Sequence, residues 1–317
     1  YLTHSVGLVE CIDRTKDALK KYTNGNNPFE ARDVEGESQK RRAWGFAVAF
    51  KNAGLGEGAP DKATAEVELL SDGTVEARIS SAEIGQGLVT VLQMVTAQEL
   101  GMPLSQVNVL LSDTDLTPDG GPTTGSRQTY ISGNAVKFAA RTLKEGMLAT
   151  LSEEYDVSPE EIRFVEGLAQ VNGHTVSFEE VAKIIKNDGR NPKALYEYWA
   201  PETFPLGQEG DKHFAYSFAA QAVEVEVNLE TGEVEVVKAV GATDVGKAIN
   251  PLGLQGKVEG GVIMGIGHAI TEEFIMKDGI IFTDHLARYR MPSIKHTPEV
   301  IEVIIVEHPT SDGPLVV

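Results

Sequence analysis

The first clear pattern is an alternation of apolar and polar residues that turns back on itself. Residues 63–70 and 74–80 alternate on either side of Ser71-Asp72-Gly73, which predicts a β-hairpin. Apolar residues at helical spacing then predict a helix over 88–100. A strand is predicted over 107–111. We therefore expect a hairpin, a glycine-bearing turn and a helix in that order.

The same order returns in the last third of the chain. Alternation over 219–227 and 234–240 predicts a second hairpin, and a helix is predicted from about residue 254 to residue 272. Two lobes of related topology explain the repetition, although a hairpin followed by a helix is common enough to recur by coincidence. Strands followed by runs of helix, without regular βαβ alternation, favour an α+β fold with two similar lobes of mixed sheet over a doubly wound sheet.

The segment before the first lobe is predicted to be only partly ordered. Apolar positions among charges predict an amphipathic helix over 1–22, and the polar composition of 23–42 predicts a loop or linker. Ordered structure is expected to begin near Trp44. The domain prediction is therefore a helix and linker at 1–43 and a first lobe at 44–157.

Between the two lobes we expect an α+β insert at 158–214. Ser158 and Ser177 each begin a capping-box pattern, so a helix is predicted to start after each of them. Asn172-Gly173 predicts a tight hairpin turn between these helices. The second lobe is predicted to fill 215–317.

Charge and composition limit the classes of function. The chain has 317 residues and a formal net charge of -19. A surface this acidic repels a polyanion, so no nucleic-acid partner is expected. No stretch approaches the roughly 18 apolar residues of a membrane helix, and no targeting signal is recognised, so a cytoplasmic protein without membrane association is predicted. The single cysteine, Cys11, excludes an internal disulfide and an iron–sulfur cluster, and no metal-ligating residue is assigned.

The turn at 83–87 is a candidate anion-binding segment. It lies between a predicted strand and a predicted helix, so its amides and the helix N-terminus are placed to contact a phosphate. A tight turn whose glycines adopt positive φ is the simpler alternative. Glu83 is either a general base or a carboxylate that interacts favourably with the helix dipole.

A second candidate segment is the run 117–133. It has no periodicity and gathers hydroxyl groups, an arginine and glycines, which is typical of a binding loop, with a mobile surface loop as the alternative. Its side chains include the donors that surround phosphates and heterocycle edges. These donors are Thr123, Thr124, Ser126, Arg127 and Gln128.

Glycines also recur along the second predicted helix. Gly256, Gly260, Gly261 and Gly265 place small residues at helical spacing, which favours close packing against the other lobe. The Gly-x-Gly patterns of the chain lack the strand-to-helix spacing of a dinucleotide fingerprint. Phosphate-binding P-loop and α/β-hydrolase motifs are missing from the sequence as well, so those functions are not expected.

Three ordered motifs resemble the xanthine dehydrogenase and aldehyde oxidase family. They are Glu83-Ile84-Gly85-Gln86-Gly87, then Pro122 to Gln128 with Ser132 to Val136, and then Asp244 to Pro251 with Glu259-Gly260-Gly261. Their order, spacing and flanking hairpins are similar to the C-terminal part of that family's molybdopterin-binding subunit, from Trp44 onward. The resemblance implies two similar lobes that hold a molybdenum–molybdopterin cofactor, in its plain form or as the cytosine dinucleotide. In this family the pterin dithiolene supplies the metal's sulfur ligands, so no cysteine or histidine cluster is needed.

The resemblance also implies which residues bind the cofactor. One group approaches the pterin and its phosphate: Ile84, Gly85, Gln86 and Gly87. A second group surrounds the phosphate and the pterin side of the metal, with Gly125 nearest to molybdenum: Thr123, Thr124, Gly125, Ser126, Arg127 and Gln128. Lys257 occupies a position where relatives carry a glutamine near the metal's ligands, and a cation there is expected to alter the electrostatics of an oxo-anionic centre.

The implied reaction is oxidative hydroxylation of a purine, another N-heterocycle or an aldehyde, with water as the oxygen source and two electrons passed outward. The implied partners are the remainder of the molybdenum subunit, iron–sulfur and FAD modules on other domains or subunits, a small-molecule substrate and, as one alternative, a second copy of the chain. Relatives carry a glutamate general base beyond the equivalent of Asp312-Gly313-Pro314, whereas this chain ends at Val317. No catalytic residue is therefore assigned, and the chain alone is predicted to be an inactive fragment or subunit. A non-catalytic or degenerate cofactor-binding or assembly module is the alternative.

Overall fold

The computed structural model describes residues 5–315. The first four residues of the predicted N-terminal helix and the last two of the predicted second lobe lie outside the described residues. The helices are α1 (Leu8–Thr23), α2 (Leu88–Leu100), α3 (Gly133–Tyr155), α4 (Phe178–Asn187), α5 (Pro251–Ile266) and α6 (Leu286–Tyr289). Five-residue π-helical turns lie directly before α3, at Gln128–Ser132, and directly after α5, at Gly267–Thr271.

The strands lie between these helices along the chain, in runs of different length. They are β1 (Arg32–Val34), β2 (Glu37–Ala53), β3 (Lys62–Leu69), β4 (Val75–Ile79), β5 (Val107–Leu111), β6 (Arg163–Val165), β7 (Leu168–Val171), β8 (His174–Ser177), β9 (Lys193–Trp199), β10 (Ala215–Asn228), β11 (Val234–Asp244), β12 (Met276–Lys277), β13 (Ile280–Ile281) and β14 (Val300–Val306). Within residues 5–315, each helix is too short or too polar to cross a bilayer.

The described chain divides into two compact units. Unit 1 contains residues 5–51 and 217–309, and unit 2 contains residues 52–216 and 310–315. Each unit is therefore built from two separate stretches of chain. The four-part division predicted from the sequence stays a prediction about domain organisation.

Unit 2 is built around a four-stranded sheet of order β5-β4-β3-β9. The hairpin of β3 and β4 is antiparallel, and β5 runs parallel to β4. Every second residue of β3 is buried, because alternate side chains of a strand point to the same face: Ala63, Ala65, Val67 and Leu69. Helices α2 and α3 cover this apolar face, and Leu92 and Met147 are fully buried there. The first predicted hairpin, the helix at 88–100 and the strand at 107–111 are all confirmed.

A small antiparallel sheet of β6, β7 and β8 and helix α4 form the insert in unit 2. Asn172 and Gly173 adopt positive φ of 45° and 80° between β7 and β8, as the predicted hairpin turn requires. Ser177 caps α4 through the amide of Glu180, so the helix predicted after Ser177 is confirmed. The helix predicted after Ser158 is wrong, because Pro159–Glu161 forms only one 3-10 turn before the chain enters β6.

Unit 1 contains a five-stranded sheet of order β1-β2-β10-β11-β14. The predicted second hairpin is confirmed as the antiparallel pair β10 and β11, and β14 runs parallel to β11. Helix α1 packs on this sheet through its buried face, which includes Cys11, Ala18 and Leu19. Both units therefore contain a hairpin, a helix and a strand parallel to the second hairpin strand, which confirms the α+β fold with two similar lobes.

The linker predicted over 23–42 is wrong in its second half. Residues 32–34 and 37–42 belong to β1 and β2, so ordered structure begins well before Trp44. The charged side chains that suggested a loop are paired within the sheet. Arg42 forms a salt bridge of 2.6 Å with Glu226, and Arg32 pairs with Glu224, which is fully buried. Polar composition misled the prediction because cross-strand ion pairs satisfy these charges.

Candidate functional site

The turn at 83–87 connects β4 to α2 in unit 2. Gly85 and Gly87 have φ of 96° and 82°, and a Cβ built at either position meets no heavy atom within 4 Å. The two glycines are therefore required by backbone conformation and not by a close neighbour. Ile84 projects outward with 83% of its surface exposed.

The carboxylate of Glu83 occupies the N-terminal end of α2. Its Oε1 accepts hydrogen bonds from the amides of Gly85 at 2.9 Å and Gly87 at 3.0 Å, and its Oε2 accepts one from Val89 at 3.0 Å. Partial burial raises the pKa of Glu83, but the backbone hydrogen bonds outweigh it and hold the pKa below its ordinary value. These amides are thus used by the protein's own carboxylate. The interpretation of Glu83 as a carboxylate placed at the helix dipole is confirmed.

The side chain of Gln86 is held by the backbone of the same turn. Its Oε1 accepts a hydrogen bond from the amide of Ile84 at 2.6 Å, and its Nε2 donates to the carbonyl of Ala82 at 2.8 Å. One Nε2 hydrogen is left over because a primary amide carries two. Gln86 is half-buried, so its orientation is set by the turn and not by solvent.

Arg127 is the fully buried centre of the loop at 117–133. Its Nε donates to Asp61 Oδ1 at 2.7 Å, and its Nη atoms donate to the carbonyls of Lys62, Gly120 and Pro122 at 2.6 to 2.9 Å. All these partners lie in the protein itself. Arg127 therefore shapes the loop from the inside, whereas the sequence had suggested a donor to phosphate.

The tip of the same loop, residues 123–126, faces outward. Thr123, Thr124 and Ser126 are exposed, and Gly125 and Ser126 have left-handed φ of 59° and 56°. Within residues 5–315, the amides of Gly125 and Ser126 and the hydroxyl groups of Thr124 and Ser126 make no hydrogen bond. A Cβ at Gly125 would lie 3.0 Å from the carbonyl oxygen of Gly54, so this glycine is required by both space and conformation.

Hydrogen bonds join the turn to the loop. The amide of Ala82 donates to Thr123 Oγ1 at 2.9 Å, and Gln128 Nε2 donates to the same oxygen at 3.0 Å. Ser81 Oγ donates to Gln128 Oε1 at 2.8 Å. Two segments separated by about forty residues in the sequence are therefore held side by side.

Sequence reasoning missed several residues that support this site. Asp61 and Ser81 were given no role, and neither was Ser132, whose Oγ lies 3.3 Å from that of Ser81. The prediction of a loop to residue 133 is also wrong at its end, since residues 128–132 are helical. Val136 and Ala139, buried three residues apart, were the available signal for α3.

The last described residues return to the start of α3. Asn134 Nδ2 donates to the carbonyl of Asp312 at 3.0 Å, and Lys137 Nζ donates to that of Gly313 at 3.3 Å. A Cβ at Gly133 would lie 3.2 Å from the ring of Pro314, which explains the glycine at this position. The segment 312–314 thus packs directly beside the residues that follow the loop.

Lys257 lies on α5 of unit 1 and is exposed. The predicted close packing of the glycines on this helix against the other lobe stays a prediction. A Cβ built at Gly256, Gly260, Gly261 or Gly265 meets no heavy atom within 4 Å. The glycine face of α5 is open.

Sequence comparisons match nearly the whole chain. A family model described as "Molybdopterin cofactor-binding domain" matches residues 19–298. A probable xanthine dehydrogenase subunit of Bacillus subtilis is 32% identical over 313 residues, which cover 96% of this chain and 40% of that protein. The "6-hydroxypseudooxynicotine dehydrogenase complex subunit gamma" of Paenarthrobacter nicotinovorans is 29% identical over 85% of this chain and 33% of that protein.

Solved structures agree with the sequence comparisons. The crystal structure of the aldehyde oxidoreductase from Desulfovibrio desulfuricans superimposes with a TM-score of 0.76 at 26% identity. The superposition covers 98% of this chain and 31% of that one. The chain therefore spans between 31% and 40% of the length of these three relatives.

Proposed function

The chain belongs to the family of molybdopterin cofactor-binding domains, and we propose that it forms the cofactor-binding part of a xanthine dehydrogenase-like molybdenum hydroxylase. The proposed reaction is the oxidative hydroxylation of a purine, another N-heterocycle or an aldehyde. Support comes from the names of its relatives, which include a probable xanthine dehydrogenase subunit and an aldehyde oxidoreductase.

The hydrogen bond between Ala82 and Thr123 is the observation that carries the proposal. It holds the turn at 83–87 beside the loop at 122–128 within unit 2. The loop tip fits an anionic pterin, because its unpaired amides and hydroxyl groups all lie on an exposed surface. When bound, the cofactor would supply the molybdenum and its sulfur ligands, together with the capacity for two-electron oxidation.

The site residues have distinct proposed roles. Thr124, Gly125 and Ser126 offer unpaired donors to the phosphate and the pterin. Thr123 and Gln128 bind each other and hold the turn in place. Thr123 keeps its hydroxyl hydrogen for the cofactor, whereas Gln128 supports the site from behind, because Thr123, Pro122, Ser81 and Ser132 already use its donors and its acceptor. Arg127 fixes the loop through Asp61 and does not reach a ligand directly.

The turn at 83–87 has a smaller set of available groups. Ile84 contributes an exposed apolar surface, and Gln86 contributes its second Nε2 hydrogen. Gly85 and Gly87 act through their conformation, since their amides bind Glu83. For Lys257 we propose a cationic contact that raises the electron demand at the metal centre.

The proposed partners follow from the share of the relatives that the chain covers. We propose that the remainder of the molybdenum subunit, iron–sulfur modules and a flavin module complete the electron path. Two relatives are named as subunits, one of them of a complex, which supports an assembly of several chains. A second copy of the chain is a further proposed partner. By itself, the chain is expected not to turn over substrate.

Metal and pterin analysis of the natural holoprotein tests this proposal. We expect stoichiometric molybdenum by inductively coupled plasma mass spectrometry and the fluorescence of oxidised pterin after acid release. In a Thr124→Val, Ser126→Gly double variant both contents should fall, because two donors are removed without a change of backbone conformation. Thr175→Val is the matched control, since Thr175 is exposed on β8 of the insert.

Each outcome has a clear meaning. Full cofactor content in the double variant would remove the loop tip from the site. The lack of molybdenum and pterin in the wild-type holoprotein would contradict the proposed function. The holoprotein could instead contain stoichiometric cofactor and oxidise no purine, heterocycle or aldehyde when an artificial electron acceptor is present. This result would favour the alternative of a non-catalytic cofactor-binding module.

A further inference from the structure

The N-cap residue of α2 is a glycine and therefore has no side chain to cap the helix. Gly87, the residue before the helix, is left-handed and contributes no side-chain hydrogen bond. The first amides of a helix need acceptors from elsewhere. Glu83, four residues before Gly87, accepts hydrogen bonds with both of its carboxylate oxygens. The carboxylate and the three amides that donate to it, those of Gly85, Gly87 and Val89, form a hydrogen-bonded ring.

This ring determines where Gln86 points. Gly85 and Gly87, which flank Gln86, are both bound to Glu83 Oε1. With its two neighbours fixed, Gln86 reaches back to the amide of Ile84 and the carbonyl of Ala82. The amide of Ala82 in turn donates to Thr123 on the binding loop. The orientation of the Gln86 side chain, which is bonded to the same Ala82 that contacts this loop, therefore depends on the carboxylate of Glu83.

The ring also decides which anions the turn accepts. An external phosphate at the N-terminus of α2 would have to displace the Glu83 carboxylate or lie against its negative charge. The three amides that would bind it already donate to Glu83. The turn amides thus bind the carboxylate of Glu83, which takes the place of the external anion expected from the sequence.

We propose that Glu83 is a positioning residue, which orients the Gln86 side chain for contact with the cofactor and withholds the amides of Gly85, Gly87 and Val89 from it. This inference rests on the proposed function, because it names the cofactor as the group that Gln86 contacts. Glu83 itself does not touch the cofactor. Its effect on cofactor binding passes through Gln86.

A double-mutant cycle tests this path. The variants are Glu83→Ala, Gln86→Ala and the combination of the two, prepared in the natural holoprotein with its partner subunits. The rate of pterin release in mild denaturant is followed by fluorescence. Each single variant should release pterin about tenfold faster, which corresponds to the loss of one well-oriented hydrogen bond. The double variant should release it no faster than Gln86→Ala alone, because Glu83 then has nothing left to orient.

Two comparisons separate positioning from a general loss of structure. Glu180→Gln removes a carboxylate that binds the backbone at the start of α4, and it should leave pterin release unchanged. Glu83→Asp keeps the charge, and it should restore part of the slow release. Amide hydrogen exchange of Gly85, Gly87 and Val89 should rise about tenfold in Glu83→Ala while exchange in the core strand β3 stays unchanged.

The proposal is overturned if the two substitutions act independently and their effects on release multiply, or if Glu83→Ala releases pterin at the wild-type rate. It is also overturned if amide exchange at Gly85, Gly87 and Val89 does not change in that variant. Failure of the proposed function has a different signature. In that case no pterin or molybdenum is found in the wild-type protein, whereas the exchange measurement still reports whether Glu83 holds the turn.

Discussion

Helices α2 and α5 hold equivalent places in the two units but are packed in opposite ways. Each follows an antiparallel hairpin and precedes a strand parallel to the second hairpin strand. Helix α2 buries six of its residues, including Leu88, Leu92 and Leu100. Helix α5 buries only Val262 and Ile266, and Leu252 is 81% exposed. The same topology therefore produces a core helix in unit 2 and a surface helix in unit 1.

The start of each helix differs as well. The N-terminus of α2 is capped by the carboxylate of Glu83, which titrates, whereas α5 is capped by the side chain of Asn250, which accepts from the amide of Gly253 at 3.0 Å. The turn before α5 is organised by Asp244, whose carboxylate binds the amides of Gly7 and Gly246 at 3.0 Å. In unit 2 the carboxylate of Glu83 therefore binds amides at the start of the helix, whereas in unit 1 the carboxylate of Asp244 binds the amide of Gly246 in the turn before the helix.

The open side of unit 1 carries more than glycines. Exposed apolar side chains lie on α5 and continue after it, and surfaces of this kind commonly mark protein contacts. They include Met264, Phe274, Met276, Ile280 and Phe282. Topology alone therefore does not decide burial. The helix of this hairpin-helix-strand arrangement packs into the hydrophobic core in unit 2, whereas it is largely exposed in unit 1.

The largest effect is expected from the buried ion pair beneath the loop at 117–133 in unit 2. Arg127→Met leaves the buried Asp61 carboxylate without its partner, and breaking such a pair costs about 3–5 kcal/mol. Chemical denaturation measures the loss, and hydrogen exchange should place it in unit 2. Arg14→Met, which removes an exposed ion pair on α1, should cost about 0–1 kcal/mol. Equal effects of the two variants would contradict the buried arrangement.

The next effect tests the packing of the two helices directly. Leu92→Ala in α2 should reduce the free energy of unfolding by about 2–5 kcal/mol, because Leu92 is fully buried. Leu252→Ala in α5 should change it by no more than about 0.5 kcal/mol. Both values come from denaturant titrations followed by circular dichroism. A loss of similar size in both variants would show that α5 is packed like α2.

A smaller effect distinguishes the two helix caps. Glu83→Ala and Asn250→Ala should each cost about 1 kcal/mol at neutral pH. The pKa of Glu83 is lowered in the folded chain, so its contribution is complete above the unfolded value of about 4.3 and is lost as the pH falls through the lowered pKa. The cost of Asn250→Ala should not depend on pH. Thermal unfolding between pH 3 and pH 7 checks the difference, and parallel curves for the two variants would refute it.

The smallest effect has the opposite sign. Gly260→Ala in α5 should stabilise the chain by up to about 1 kcal/mol, because alanine favours a helix interior and meets no neighbour there. Gly101→Ala at the C-terminal end of α2 should destabilise it, since Gly101 has φ of 65° and its Cβ would lie 2.3 Å from the carbonyl oxygen of Phe164. The shift in melting temperature reports both signs. A loss of stability in Gly260→Ala would mean that the glycine face is packed.

Local patterns in the sequence were sufficient for much of the fold and for part of the site. Alternation at Ala63 to Leu69 and capping at Ser177 depend on neighbours a few residues away, so the hairpin and α4 were predicted correctly. The motif residues Gln86 and Thr123 were recognised from the family resemblance, and the structure joins their segments. Their individual roles in cofactor binding stay predictions.

The partners of the charged residues and the neighbours of the glycines depend on the three-dimensional fold. In the sequence Arg127 is a charged residue within a polar loop. In the structure it is fully buried, and Asp61 and three carbonyl groups accept its hydrogen bonds. Arg42 belongs to an apparent linker, yet Glu226 holds it in a sheet. A charged side chain is buried only when other groups pair with it, and a glycine is tolerated in either environment, so the surroundings of both depend on distant groups. Local sequence patterns therefore predicted the two hairpins, α2 and α4, and the motifs indicated the family, whereas long-range contacts determined which donors are used within the protein and which stay unpaired.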